Sequence, residues 1–450
     1  MSGLVDRHLH LVGIGGAGMS ALAVIAYAWG AEVSGCDRAE SEPVRRLRRL
    51  GVDVAVGHDP AHLDGDPEVV VSSAIGEDEP ELAEARRRGL IVRARAALLA
   101  EFVAARDSIC VAGTHGKTTT TAMIAHAAVQ LGLDPTYLIG GDVPQLGGNA
   151  WPGGGRLLVT EADESDRSCA LLRPRVAVVT NLELDHHARF GSLDELQAVF
   201  AEWVTHLPEH GTLVVGEDVD LRAPAPVLRV GTGERADWRV SGIEHGWSAI
   251  SFWLQPPAGD PLHVQLTVPG THNALNAAAA VAALAAHGAD PADVAAALSS
   301  FAGAGRRFEQ RGEHAGATVV DDYAHHPTEV AAAIETARSQ TAARVVACFQ
   351  PHLYSRTQAL ADGFGRALAL ADEVVVCEIY PAREQPLEGV TAKLIVDAVS
   401  ERRPGMRLAY EPSLAEAASY LRGRLRPGDL LLTIGAGDVR GVGDLLIAEP

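Results

Sequence analysis

Lysine is almost missing from this 450-residue chain. Lys117 and Lys393 are the only two, and the rest of its 38 basic residues are arginine. Cysteine is scarce as well. Cys36, Cys110, Cys169, Cys348 and Cys377 are odd in number, scattered and without paired spacing. That argues against a disulfide framework and for free thiols in a reducing cytoplasm. No apolar run approaches the ~20 residues of a membrane span. The first residues, with Asp6, Arg7, His8 and His10, lack the long apolar core of a secretory signal. Positive charge is in deficit, at a formal net −20, which argues against non-specific nucleic-acid binding. Any phosphate ligand must then be held by local loops, arginines and Mg²⁺. Neither a disordered tail nor a low-complexity segment beyond an alanine bias is evident. Length alone suggests about three domains.

One of the two lysines sits in an informative place. Ile109 to Ala112 reads as a buried strand, Gly113-Thr114-His115-Gly116 as a tight turn, and Thr119 onward as a helix. Strand, glycine loop, Lys117-Thr118 and helix is an arrangement that holds a nucleotide triphosphate. Backbone N–H groups at the helix start face the phosphates, the lysine adds charge and the hydroxyl reaches Mg²⁺. The strict G-x-x-x-x-G-K-[ST] pattern wants glycine at Val111, so this is a shortened loop. A plain turn with a solvated lysine is the alternative, and the rarity of lysine weighs against it.

Residues 1–105 alternate strands and helices, which implies a parallel sheet. Gly13-Ile14-Gly15-Gly16-Ala17-Gly18 satisfies G-x-G-x-x-G, and Asp37 lies 19 residues beyond Gly18. This fingerprint marks a diphosphate at a helix N-terminus. By itself it favours a dinucleotide; a second nucleotide loop at 113–118 shifts the reading toward a nucleotide-linked substrate. The central segment brings acidic clusters to two strand ends, Glu161-Ala162-Asp163-Glu164-Ser165-Asp166 and Asn181-Leu182-Glu183-Leu184-Asp185-His186-His187. Hard oxygen ligands with one imidazole suit Mg²⁺ on phosphate oxygens; solvated turns are the plainer reading. His186-His187 lacks the thiolate or third histidine that zinc spacing would want. Thr212–Val215, Val227–Val230, Trp238–Ile243, Ile250–Leu254 and Leu262–Val268 read as short strands of an antiparallel addition. Asn273 reads as an N-cap of the alanine-rich helix that Gly288 closes, and with His272 and Asn276 it offers edges that match a purine. Phe301 to Glu309, with Arg306-Arg307 among small residues, reads as a hinge. Four strands after it each end in a polar cluster, which suggests an active-site face.

Nine segments in order, GIGGAGMSALA (13–23), GTHGKTTTT (113–121), EADESD (161–166), NLELDHH (181–187), THNALNAAAA (271–280), RRFE (306–309), DDYAHHPTE (321–329), FQPHLYSRT (349–357) and GAGD (435–438), resemble the Mur ligase family over essentially the whole chain. These are the ATP-dependent amide-forming enzymes of peptidoglycan precursor synthesis. The closest resemblance is to the branch that joins L-alanine to the carboxylate of UDP-N-acetylmuramate through an acyl phosphate, in the cytoplasm. The resemblance implies an α/β fold of three domains: a Rossmann-like one for the UDP-sugar (1–106), a P-loop-type ATPase with added antiparallel strands (107–305) and a Rossmann-like one for the amino acid (306–450). It implies ATP and Mg²⁺, no nucleic-acid or membrane partner, and a monomer or weak homodimer.

Residue by residue, the resemblance gives Gly13, Gly15, Gly16, Ala17, Gly18, Asp37, His58, Ser72 and Ser73 to the sugar nucleotide. It gives Gly113, Thr114, His115, Gly116, Lys117, Thr118 and Thr119 to the ATP phosphates, and Thr118, Glu161 and His186 to the metal. His272, Asn273 and Asn276 would meet adenine, and Arg307 would be the hinge arginine. Tyr323, His325, His352 and Arg356 would form the pocket for L-alanine and the reacting carboxylate, with Lys117 and His186 joining them in catalysis. Leu353 stands where the family usually has arginine, and Ala324 where it usually has glycine. Sibling ligases carry a modified lysine near the metal. No lysine lies between Lys117 and Lys393, so His186 looks like its substitute. A sibling that adds a recycled peptide to the same nucleotide, and more distantly an NAD-dependent dehydrogenase, are the alternatives.

Overall fold

The computed structural model describes residues 3–448 apart from 73–74, 166, 186–189, 342 and 383. The chain forms two compact units. The first comprises Met1–Leu182, Leu196–Arg239 and Asn276–Leu298; the second comprises Glu183–Glu195, Val240–Leu275 and Ser299–Pro450.

The first unit opens with a five-stranded, all-parallel sheet in the order Asp53–Val56, Glu32–Asp37, His8–Val12, Glu68–Val71, Val92–Ala94. Its middle strand buries Leu9, Leu11 and Val12 completely, as a strand covered on both faces must. The glycine loop follows that strand and runs into the helix Ala17–Ala28. Around the phosphate loop the strands lie in the order Val227–Gly231, Thr212–Gly216, Val176–Val179, Asp107–Ala112, Leu157–Glu161, Thr136–Leu138, Ala150–Pro152. Only the last of these pairings is antiparallel.

This corrects part of the sequence reading. Thr212–Gly216 and Val227–Gly231 extend the parallel sheet, and Trp238–Gly246 starts parallel to its neighbour as well. For Thr212–Gly216 the reason is the helix Leu193–Val204, which precedes it and whose Leu196, Val199, Phe200, Trp203 and Val204 are buried. A helix between two strands makes a crossover, and crossovers yield parallel pairs. Of the five strands read as an antiparallel addition, Ala249–Gln255 and Leu262–Leu266, in the second unit, do pair antiparallel with each other.

The second unit is built on a six-stranded sheet in the order Glu309–His314, Ala317–Asp322, Leu430–Ile434, Val345–Phe349, Glu373–Val376, Arg407–Tyr410. The first pair is antiparallel and the rest are parallel. Alternate residues serve different cores. Val345, Ala347 and Phe349 belong to one, Val346 and Cys348 to the other. Covering both faces explains the unbroken apolar run VVACF. All five cysteines are buried and free. Among the described residues no helix is long and apolar enough to cross a membrane.

Candidate active site

The phosphate loop is shaped by two glycines that no other residue replaces cheaply. Gly113 has φ +123° and Gly116 φ +81°, backbone conformations that L side chains rarely adopt. A Cβ on Gly113 would lie 2.2 Å from Thr180 Oγ1, and one on Gly116 2.6 Å from Asn276 Oδ1. Gly116 caps the helix Lys117–Gln130, so the unbonded N–H groups of its first turn face the loop. The loop is latched from the next strand end. Thr114 N–H donates to the Asn181 carbonyl (3.1 Å) and His115 N–H to Asn181 Oδ1 (2.9 Å). The Thr180 hydroxyl and Asn181 Nδ2 donate to the His115 carbonyl (2.6 and 3.0 Å).

Lys117 folds back over this turn. Its ammonium donates to the carbonyls of Gly113 (2.6 Å) and Thr114 (3.2 Å) and to Glu164 Oε1 (2.8 Å). Burial alone would lower the lysine pKa; the Glu164 carboxylate reverses that and raises it. The ammonium therefore stays charged throughout the neutral range. Thr118 Oγ1 donates to Glu161 Oε2 at 3.2 Å, and Glu161 Oε1 accepts from the Gly140 N–H at 2.6 Å. A hydroxyl and a carboxylate so placed offer hard oxygens from two chain segments, a donor set that fits Mg²⁺. The third expected ligand, His186, lies outside the described residues. Thr119 is buried in the first turn of the same helix.

The first glycine loop is held by the strand beside it. Gly13 and Ile14 donate backbone N–H to the Cys36 carbonyl (2.9 and 3.0 Å), and Gly15 N–H donates to Asp37 Oδ2 (2.9 Å). Gly16 is the cap of the helix that begins at Ala17, and Gly18 lies against Arg95. Ser72 Cβ is close enough to Gly13 to touch a Cβ placed there. Ser73 lies outside the described residues. His58 is near Cys36 and Glu81, below the loop's anchoring strand.

In the second unit an aromatic and imidazole row follows the strand ends. Tyr323 and His325 meet edge to face at 5.4 Å, His325 and His352 at 6.2 Å, and His352 stacks on Tyr380 at 5.8 Å. Arg356 Nε and Nη2 donate to the two oxygens of Asp185 at 3.0 and 3.1 Å, and Nη1 lies 3.2 Å from His352 Nδ1. Burial, opposed by Glu329 and helped by Arg356, pushes the His325 pKa down to about 4. Burial pushes Asp322 up to about 6, although Arg307 and the backbone N–H groups of Ala324 and Phe308 oppose it. Arg307 lies over the Tyr323 ring at 5.1 Å and 3.9 Å from Glu329. Arg306 is tied down by Asp321 and by the carbonyls of Gly435 and Gly437.

The helix Thr271–His287 carries the expected base-recognition trio. Asn273 is not its N-cap. It stands inside the first turn, and its Nδ2 donates back to the Pro269 carbonyl at 2.6 Å. The sequence signal was ambiguous because the turn Pro269-Gly270 already supplies a carbonyl for the Asn273 N–H (2.9 Å). The division between compact units falls between Leu275 and Asn276, so His272 and Asn273 belong to the second unit and Asn276 to the first.

Three sequence models of one family match the chain in order. They are the Mur ligase family catalytic domain over residues 8–107, the Mur ligase middle domain over 111–284 and the Mur ligase glutamate ligase domain over 306–437. The chain belongs to the Mur ligase family. It is 45% identical to UDP-N-acetylmuramate–L-alanine ligase of Thermobifida fusca, over 98% of this chain and 97% of the relative. It is 47% identical to the enzyme of the same name from Kineococcus radiotolerans, over 97% and 94%. Among solved structures it is similar to UDP-N-acetylmuramate–alanine ligase of Thermotoga maritima, with TM-score 0.82, 29% identity and coverage of 98% and 99%. A murein peptide ligase from Psychrobacter arcticus follows the same fold, with TM-score 0.73, 27% identity and 98% coverage of both chains.

In this Mur ligase some partners of the expected residues were not legible in the sequence. Glu164 is the counter-charge of Lys117, Asn181 the latch of the loop, and Asp185 the partner of Arg356. Each lies inside a quoted motif, so the signal was present at motif level. Which carboxylate of EADESD faces the lysine was not.

Proposed function

We propose that this Mur ligase uses ATP to join L-alanine to the carboxylate of UDP-N-acetylmuramate, releasing ADP and phosphate. The observation that carries the reading is the convergence of Lys117, Thr118, Glu161 and Glu164 at one helix N-terminus. The family relatives supply the substrates by name. Residues 1–106 are proposed to take the sugar nucleotide at Gly13–Gly18 and Asp37. Residues 107–305 would take ATP, and 306–450 the amino acid.

The chemistry follows from what a carboxylate lacks. It is a poor electrophile, so its oxygen first attacks the γ-phosphorus of ATP and ADP leaves. The acyl phosphate so formed has a good leaving group. The uncharged amine of L-alanine attacks its carbonyl carbon, and the tetrahedral intermediate expels phosphate. Little covalent work falls to the protein, which positions groups and neutralises charge. Lys117, kept protonated by Glu164, meets the phosphate oxygens together with the backbone N–H groups of the helix start. Thr118 and Glu161, joined by His186 as the family pattern implies, would hold Mg²⁺, which would supply charge neutralisation on those oxygens. A base must take the proton of the incoming amine; His325, neutral above about pH 4, brings no positive charge to repel that amine. Arg356, oriented by Asp185, fixes His352 beside it.

The rival within the family attaches a peptide instead of one amino acid. Release of ADP and phosphate, measured with UDP-N-acetylmuramate and either L-alanine or L-alanyl-peptides, separates the two. Turnover with L-alanine supports the proposal, and turnover only with peptide overturns it.

A further inference from the structure

The N-terminal sheet carries a second cluster of reactive side chains that the ligation chemistry does not use. His10 lies within the strand His8–Val12, and Cys36 near the end of Glu32–Asp37. Glu81 is in the first turn of the helix Pro80–Arg88. His62 is in the short helix Pro60–Leu63, with His58 just before it. His10, Cys36 and Glu81 are sealed from solvent, at 1%, 0% and 0% exposure. Their donor atoms all lie within 4.8 Å of one another. His58 Nδ1 is 3.1 Å from Cys36 Sγ and 3.4 Å from Glu81 Oε2.

His10 supplies the telling detail. Its Nε2 is buried without a hydrogen-bond partner and points at Glu81 Oε2 from 3.9 Å. Its Nδ1 lies 2.9 Å from Ser34 Oγ. A ring whose Nδ1–H is given to a hydroxyl presents a bare lone pair at Nε2, the form in which imidazole binds a metal. An orphaned buried polar atom otherwise costs free energy for nothing.

We propose that His10 Nε2, Cys36 Sγ, His58 Nδ1 and Glu81 Oε2 form a structural zinc site in the N-terminal domain. Zinc bonds of about 2.0–2.3 Å to tetrahedral N, O and S ligands set donor–donor separations of roughly 3.3–3.6 Å. Three of the six donor pairs, His58–Cys36 at 3.1 Å, His58–Glu81 at 3.4 Å and His10–Glu81 at 3.9 Å, bracket that range. The contact that must lengthen is Cys36 Sγ to Glu81 Oε2, at 2.7 Å the hydrogen bond of a protonated thiol. On binding, the S–H bond breaks, the Sγ–Zn bond forms and the proton leaves to solvent, with zinc remaining divalent. A thiolate and a carboxylate then balance the two charges of the ion, so the loaded site is neutral where charge is costly to bury. A mixed thiolate and imidazole set selects zinc over Mg²⁺.

The surroundings fit a ligand carboxylate. Glu81 Oε1 is held by His62 Nδ1 at 2.5 Å and by the Asp59 N–H at 3.2 Å, which leaves Oε2 for the metal. His58 and His62 are partly exposed and provide the way in. The same Cys36 accepts the N–H groups of Gly13 and Ile14 through its carbonyl. A metal on its sulfur therefore stiffens the glycine loop. That consequence for sugar-nucleotide binding rests on the function proposed above; the metal site itself does not.

The test uses the full chain, stripped of metal, in excess Mg²⁺, and titrated with Co²⁺ as a spectroscopic stand-in. The expected result is one equivalent bound, with a near-ultraviolet thiolate-to-cobalt charge-transfer band and the visible bands of a four-coordinate ion. Added Zn²⁺ bleaches both. Cys36→Ser removes the charge-transfer band, and His58→Ala, at the partly exposed edge, weakens Co²⁺ binding at least ~10-fold while circular dichroism stays native. Absence of the thiolate band in the unaltered protein, or its persistence in Cys36→Ser, overturns the proposal. Should Cys36→Ser not fold, unchanged affinity in His58→Ala overturns it as well.

Discussion

Glu164→Gln removes the counter-charge of Lys117. The ammonium lies 2.8 Å from Glu164 Oε1, with the two side chains 19% and 1% exposed. At an effective dielectric constant of 20 that separation corresponds to about 6 kcal/mol of gross attraction. The net effect is smaller. Removing one partner of a buried pair costs about 3–5 kcal/mol. The amide keeps an acceptor for Lys117, the carbonyls of Gly113 and Thr114 remain, and Asp163 and Glu161 still act on the charge. We expect a local loss of about 2–3 kcal/mol, which makes opening of the loop roughly 30- to 150-fold more frequent. Amide hydrogen exchange reads this directly at Thr120, whose N–H donates to the Gly116 carbonyl at 2.9 Å. The variant should exchange faster there by that factor, and a non-hydrolysable ATP analogue with Mg²⁺ should restore protection, because phosphate oxygens replace the lost carboxylate. Unchanged exchange in the unliganded variant would refute the reasoning, since the lysine would then be held without Glu164.

The remaining expectations follow from the same geometry. Gly113→Ala places a Cβ 2.2 Å from Thr180 Oγ1 at φ +123°; turnover should fall at least ~100-fold, while sugar-nucleotide binding, measured by calorimetry, persists. Asp185→Ala leaves the buried Arg356 guanidinium uncompensated, at a cost of about 3–5 kcal/mol to the second unit, read as a lower thermal midpoint. Asp185→Asn should recover part of it. His325 has its pKa depressed to about 4, so its contribution to stability is complete above about pH 6.5 and is lost as pH falls toward 4. His325→Gln should flatten the acid limb of a stability profile by up to about 3 kcal/mol; an unchanged limb would mean that this half-buried imidazole is not what acid attacks. Thr118→Val should cut turnover at least ~100-fold and raise the Mg²⁺ requirement, because it removes the hydroxyl beside Glu161.

Backbone features were the most legible in the sequence. Gly113 and Gly116 stand where φ must be positive, so the loop could be read before its neighbours were known. The strand VVACF was equally plain, because both of its faces are covered. What the sequence concealed depends on which side chain turns toward which. EADESD offers four carboxylates in six residues, and only the turn after Glu161 decides that Glu161 meets Thr118 and Glu164 meets Lys117. Arg306 and Arg307 are adjacent and alike and both lie over the Tyr323 ring, yet Arg306 is locked onto Asp321 while Arg307 faces Glu329. Short strands such as Thr212–Gly216 and Val227–Gly231 carry no sign of direction. The helix Leu193–Val204 sets the parallel pairing of the first with its neighbour, and its stripe of Leu196, Val199, Phe200 and Trp203 was the overlooked clue. His10, Cys36 and Glu81 are spread over some seventy positions, and only the fold brings them together, with His58 against Cys36 and Glu81.

The central claim, activation of a carboxylate as an acyl phosphate, is tested most directly by following the carboxylate oxygens. UDP-N-acetylmuramate labelled with ¹⁸O in its carboxylate is turned over with ATP, Mg²⁺ and L-alanine, and the released phosphate is analysed by mass spectrometry. One labelled oxygen in the phosphate for each amide bond formed is the predicted result. Unlabelled phosphate alongside amide formation would contradict the account.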